Sequence, residues 1–296
     1  MVLAREARHA RTEADGWFER TSPGRTFRRV IEEIVAIELF DRAMTLAAKI
    51  FTSVLPVIIA ATMFSGWDLV AHGIDDQFGF NPASGPGGSG GLQATDPSFA
   101  TFGVVGLLMI VISGTSFART LTRIYGKIWN MPPSGLNHAW RWMVVLFIVA
   151  MSVPLLGIAR SVAELRFVGR PLALLVEFAV WLFVWVLTPH LLTGGWVSGR
   201  VLWATGALTA AGLTAFRAGG RVVLPRITET AEAQFGQWGL VFTSISWLFG
   251  YSVIIVGAAA VTKALALDEG PIGRVLRGPE PALVPESTDP STPGDP

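Results

Sequence analysis

The sequence predicts an all-α, polytopic membrane bundle of six transmembrane helices preceded by an N-terminal amphipathic helix. Three observations predict it. First, 51% of the 296 residues are hydrophobic and 15% are charged, with a mean hydropathy of +0.50, where soluble domains carry about a quarter charged residues. Second, six stretches approach the roughly 20 apolar residues a helix needs to cross the hydrocarbon core; they lie at 43–66, 100–118, 140–159, 172–193, 200–217 and 239–261. Third, the segment 67–99 holds no Lys or Arg, whereas 119–141 holds Arg119, Arg123, Lys127 and Arg141 with no acid. The positive-inside rule then puts the N-terminus, the 119–141 loop and the C-terminus on the cytoplasmic side of a membrane, and 67–99 outside.

The chain divides into a cytoplasmic N-terminal segment (1–42), a six-helix membrane domain (43–267) and a Pro-rich tail (268–296). The segment 1–25 alternates Arg and Glu and lacks the apolar stretch of a cleavable secretory signal. Over 26–39 the residues Phe27, Val30, Ile31, Ile34 and Val35 recur at helical spacing, with Arg28, Arg29, Glu32 and Glu33 on the other side. Arg28 with Glu32 and Arg29 with Glu33 are i,i+4 pairs, worth a few tenths of a kcal/mol each at most. Such a helix either lies on the inner leaflet or packs on the bundle.

Span one, AMTLAAKIFTSVLPVIIAATMFSG, contains Lys49 and Pro56. A lysine near the bilayer centre costs about 2.5–3.5 kcal/mol, yet Lys49 lies only about six residues, roughly 9 Å, from the cytoplasmic end and could snorkel to the inner headgroups. It either snorkels or holds an anionic group. The outer loop reads GPGGSGG over 85–91, the composition of a mobile tether. Span three contains Pro154. Span four, RPLALLVEFAVWLFVWVLTPHLL, contains Pro189 and Glu177, the one acid well inside a span. Pro56, Pro154 and Pro189 each remove a backbone donor and are expected to kink or open their helices.

Glu177 and Lys49 lie toward opposite leaflets, about 10 Å apart in depth across a core of about 30 Å. The expected partners of Glu177 are therefore Arg160, Arg166 and Arg170 at the outer ends of spans three and four; a proton or substrate site is the other reading. In span five the small residues Gly206, Ala207, Ala210, Ala211 and Gly212 allow close backbone approach, against neighbouring helices or a second protomer. The outer loop after it is expected to carry Arg217, Arg221 and Arg226. Aromatic belts are expected from Trp67 and Trp238 outside and from Trp129, Trp140, Trp142, Trp196 and Trp203 inside, with Trp181, Trp185 and Trp247 deeper. The tail beyond 268 contains seven prolines and few large apolar residues, and is expected to be disordered.

The same composition excludes several classes of function. A net charge of +1 supplies no basic excess for a phosphate backbone, so nucleic acid is not an expected partner. Zero cysteines exclude disulfides and thiolate sites, and the four scattered histidines, His9, His72, His138 and His190, make no metal cluster. No GxSxG, HExxH or Walker A pattern occurs. The chain is accordingly not expected to be an enzyme or to hold a cofactor or metal.

Three motifs together resemble a known family, the bacterial BrkB/YihY-type inner-membrane proteins, some of which carry the name ribonuclease BN, and within it the branch named after the inner-membrane protein YhjD. They are AMTLAAKIFTSVLPVII, with Ser53 and Pro56 as a small-polar-then-proline pattern, the run LTRIYGKIWNMP, and FGQWGLVFTSISWLFGYSVIIVGA with Gly236, Gly239 and Gly257. The likeness covers roughly 27–265. It departs after Gly257, where Ala258 and Ala259 stand where the family often has an acid. The resemblance implies six membrane helices with both ends cytoplasmic, and its names suggest lipid or lipid-linked precursor export, a virulence role or RNA processing. Metal-assisted hydrolysis of RNA wants clustered carboxylate or His ligands, and no acid stands between Arg119 and Arg141.

The leading expectation is a transporter or flippase of a lipid or other amphipathic anion. Lys49 would attract the headgroup inside, Glu177 would lie on the path, and Arg160 or Arg170 would receive the headgroup outside. The alternative is a non-transporting scaffold, a homo-oligomer or an envelope-assembly partner, built on the small-residue face of span five and the exposed tails.

Overall fold

A computed structural model describes residues 22–63, 97–131, 139–163, 169–268 and 270–278, with eight helices and no strand among them. The helices are α1 (Ser22–Ala36), α2 (Leu39–Met63), α3 (Pro97–Ile128), α4 (Ala139–Ala163), α5 (Gly169–Thr193), α6 (Gly199–Phe235), α7 (Gln237–Ala266) and α8 (Pro271–Arg277). Outside the described residues lie positions 1–21, the 67–99 loop apart from its last residues, with its glycine run and Trp67, and also Arg166 and the tail from 279. The side chains of Pro56, Pro154 and Arg160 are outside them too.

Each of the six apolar stretches corresponds to one long helix, α2 to α7, the first of them as far as Met63, where the described residues end. Three described stretches are long and apolar enough to cross a membrane: Trp140–Gly157 in α4, Gly169–Thr193, which is all of α5, and Val241–Ala266 in α7. Helix packing follows the chain around the bundle, α2 on α3, α4 on α5, α5 on α6 and α6 on α7, and α7 closes it by packing on α2. Leu46, Leu121, Tyr125, Val145, Val184, Leu213 and Val256 form the fully buried interior. Trp181 and Trp185 are buried in it as well.

At one end of the bundle Trp129, just after α3, packs against a cluster formed by Val197 ahead of α6, Val201 and Leu202 of α6 and Ala266 of α7. Trp142, expected in the inner belt, is instead buried, with the Arg119 guanidinium 5.0 Å from the centre of its ring. Trp140, Trp196, Trp203 and Trp238 are exposed.

Four expectations are corrected. The amphipathic helix stops at Ala36 and α2 starts at Leu39, ahead of the expected span. Glu38 between them has φ 53, a left-handed backbone that interrupts the helical ladder. Span five does not end at 217, because α6 runs unbroken for 37 residues, about 55 Å, so Arg217, Arg221 and Arg226 are helical rather than in a loop. Gly220 is accommodated inside it by packing. A Cβ on Gly220 would run into the Trp247 ring, and that close contact outweighs a propensity cost of about 1 kcal/mol per glycine.

The tail expected to be disordered holds a helix among its described residues 270–278. Pro271 opens α8, where its missing N–H costs nothing, and Arg277 donates to the carbonyls of Ala266 and Asp268. The pair expected between Arg29 and Glu33 is replaced by two longer-range ones, Glu33 with Lys263 of α7 at 2.9 Å and Arg29 with Asp268 at 3.5 Å. Arg28 and Glu32 do pair, at 2.8 Å.

The small residues of span five are used within the bundle. A Cβ on Gly206 would meet the Val186 backbone nitrogen at 2.9 Å, and one on Gly212 would meet Ile254 at 2.7 Å. α6 is thereby clamped between α5 and α7. Helix runs unbroken through Pro56, Pro154 and Pro189, and Pro189 is buried.

Candidate functional site

α5 is long and apolar enough to cross a membrane, and its one carboxylate is met by another helix. Close packing at Gly206 fixes the register of α5 against α6. Glu177 stands about as far before Thr193, the end of α5, as Arg217 stands after Gly199, the start of α6. Because every helical residue adds the same rise, the two side chains come to one level. Arg217 Nη1 lies 3.6 Å from Glu177 Oε1, with side chains 6% and 4% exposed, and Arg221, one turn further along, brings Nη2 to 3.5 Å from Oε2 with 57% of its side chain exposed. The centre is thus buried at Arg217 and open to the surface at Arg221.

The centre is loosely satisfied. At 3.6 Å the Arg217 contact is an ion pair but too long for a hydrogen bond, so Glu177 Oε1 and Arg217 Nε are buried without a hydrogen-bond partner among the described residues. One turn from each of these residues, Trp181 Nε1 and Thr214 Oγ1 are in the same condition. Tyr251 of α7 stands within Coulombic reach of Glu177, Arg217 and Arg221 and is hydrogen-bonded to Trp247. Phe216 stacks on Trp247 at 4.0 Å between ring centres and meets Tyr251 edge-on at 5.3 Å. The Phe216–Trp247 pair also lines an apolar groove of about 580 Å³ between α6 and α7, to which Phe40 of α2 and Phe249 of α7 contribute as well.

Two guanidiniums against one carboxylate leave a formal charge of +1 at the centre, buried at Arg217 and exposed at Arg221. Arginine forks suit carboxylate and phosphate oxygens, so the excess favours binding an anion, which would compete with Glu177 for the same donors.

The other expected site residues are not drawn together. Arg170 is exposed and outside ion-pair distance of Glu177, so the expected pairing at the ends of spans three and four is replaced, among the described residues, by pairing to α6. Lys49 is half-buried on α2, and no described carboxylate is within ion-pair distance of it. The backbone around it is used instead: Ser53 Oγ donates to the Lys49 carbonyl at 2.7 Å, and Ser113 of α3 donates to Ser53 Oγ at 2.8 Å. Sequence reasoning missed Arg217, Arg221 and Tyr251 as site residues. The available signal was the i,i+4 spacing of two arginines directly continuing an apolar helical stretch, level with the lone acid of span four.

Fold and site together define an all-helical protein with helices long and apolar enough to cross a membrane, and with an ionic centre between two of its helices. No family model, curated protein or solved structure matches the chain.

Proposed function

We propose that the chain is a six-helix inner-membrane protein that binds and moves an anionic amphiphile, with the anionic group held by Arg217 and Arg221 beside Glu177. The observation that carries this reading is the excess positive charge of that centre, buried at Arg217 yet reachable through Arg221. Charges in apolar helices are costly and are retained at substrate and ion pathways. The apolar groove behind Phe216 and Trp247 suits the hydrocarbon part of such a ligand. Lys49, without a described carboxylate partner, stays a candidate for first contact with inner-leaflet headgroups, and exposed Arg170 for release on the other side.

Membership of the BrkB/YihY-type family is part of this proposal and rests on the motifs quoted above. Cytoplasmic placement of both ends is supported by Thr26 of α1 donating to Asp268, just beyond α7, at 3.1 Å, since an even number of crossings returns the chain to its starting side. The exposed Arg119, Arg123 and Lys127 lie toward that same end, as the positive-inside rule requires. The scaffold alternative loses one motivation, because the small residues of α6 are occupied by α5 and α7.

The test is reconstitution into phosphatidylethanolamine vesicles containing trace fluorescent phosphatidylglycerol, with a membrane-impermeant reductant reporting lipid that reaches the outer leaflet. Wild type is expected to expose the inner pool of the anionic probe, and Arg221→Gln to slow that exposure. A neutral phosphatidylcholine probe should move less. Equal rates for Arg221→Gln and wild type, or for the two probes, would show the reading to be wrong.

A further inference from the structure

We infer that the α1–α2 corner carries a lipid-facing surface, with Ile31, Val35, Phe40 and Met44 buried in the inner leaflet. The inference rests on α7 crossing the membrane and not on transport. Thr26 meets Asp268, Glu33 meets Lys263, and a Cβ on Gly257 would stand 3.9 Å from Leu39 Cδ1, so α1 runs antiparallel to the final turns of α7. It therefore stands beside one of the segments long and apolar enough to cross a membrane, Val241–Ala266.

The rotation of α1 about its axis is the decisive observation. A helix packed on a protein in water turns its apolar side inward. α1 turns Ile34 onto the core but takes part of its charged side inward with it: Glu33 and Lys263 are only 18% and 14% exposed, and Arg29 reaches Asp268. Ile31 and Val35 point outward at 45% and 69% exposed, and across the Glu38 break the row continues through Phe40 and Met44 at 68% and 55%. Beside the row on α1 lie exposed Arg25 and Glu32. An outward surface split into an apolar strip and a charged strip matches a helix seated at the boundary of acyl chains and headgroups. Lipid is the occupant to which this arrangement points, because beyond the Glu38 break the row resumes on α2, whose outward side is lipid-facing in a spanning helix. A covering protein would have to leave the plane of the bilayer to follow it.

The native chain has no cysteine, so single labels need no background replacement. Nitroxides are placed by Ile31→Cys, Val35→Cys and Met44→Cys, with Glu32→Cys as reference, in vesicles of phosphatidylethanolamine and phosphatidylglycerol. Oxygen, which concentrates in the bilayer, and a water-soluble nickel chelate then report each label's surroundings. Labels at 31, 35 and 44 are expected to be relaxed by oxygen and protected from nickel, with the order reversed at 32. Nickel access at 31 and 35 equal to that at 32 would put the surface in water. Exclusion of both reagents would mean that a second copy or another protein covers it; either result overturns the inference. All four positions are already exposed, and because α1 carries two of the apolar-row labels and α2 a third, loss of one variant to misfolding leaves the comparison intact.

Discussion

Glu177→Gln is the most informative single change, because it keeps the shape of the side chain and removes only the charge. It leaves Arg217, 6% exposed, without a counter-ion in an apolar interior. Unit charges 3.6 Å apart attract by about 4–5 kcal/mol at an effective dielectric constant near 20. Removing one member of a buried pair typically costs about 3–5 kcal/mol, because the other stays behind desolvated. The second pair adds little, since Arg221 is more than half exposed and water screens it.

A loss of about 3–4 kcal/mol is therefore expected, seen as a fall of order 10 °C in the detergent melting temperature at the usual few degrees per kcal/mol. Combining Glu177→Gln with Arg217→Met should recover most of the loss, since replacing a whole buried pair by apolar groups of similar volume is often neutral. Anion binding should separate the two single variants, both of which lose stability: Glu177→Gln removes the internal competitor and tightens binding, while Arg217→Met weakens it. An unchanged melting temperature for Glu177→Gln, or a double variant as unstable as the sum of the two singles, would refute the assignment of this pair.

Other expectations concern packing and the lone lysine. Gly206→Ala should destabilise by about 2 kcal/mol or more, because its Cβ would meet Val186 and Trp185 backbone atoms, whereas Gly212→Ala, opposed only by the end of the Ile254 side chain, should cost less; comparative melting checks the order. Gly239→Ala should disrupt the α6–α7 turn, where a Cβ would collide with the Ala231 carbonyl group and neither backbone can yield; cleavage by added protease near 236 should rise. Lys49→Met should leave the melting temperature nearly unchanged, within about 1 kcal/mol in stability, because no described carboxylate pairs with it, while slowing exposure of the anionic lipid probe. A large loss of stability would assign Lys49 a structural pairing instead.

The legible part of this protein was what hydropathy and periodicity carry within a few turns. Six apolar stretches marked six helices, and the amphipathic period over 26–39 marked α1 to within a few residues. Glu177 was legible as the acid inside a span because its neighbours are apolar. Its partners were not, because an ion pair between helices depends on their register and rotation. Those are set by contacts such as Gly206 against Val186 and Gly220 against Trp247.

The same reason explains α6 and α1. Arg217, Gly219, Gly220 and Arg221 look like the end of a span when read along the chain, and only Glu177 on one neighbour and Trp247 on another turn them into the interior of a 37-residue helix. For α1 the sequence by itself determined that two unlike faces exist. Which face meets the bundle was decided by Lys263 and Asp268, which lie toward the opposite end of the chain. Burying an ion pair there lets the apolar row turn outward, a choice that no local pattern of residues contains.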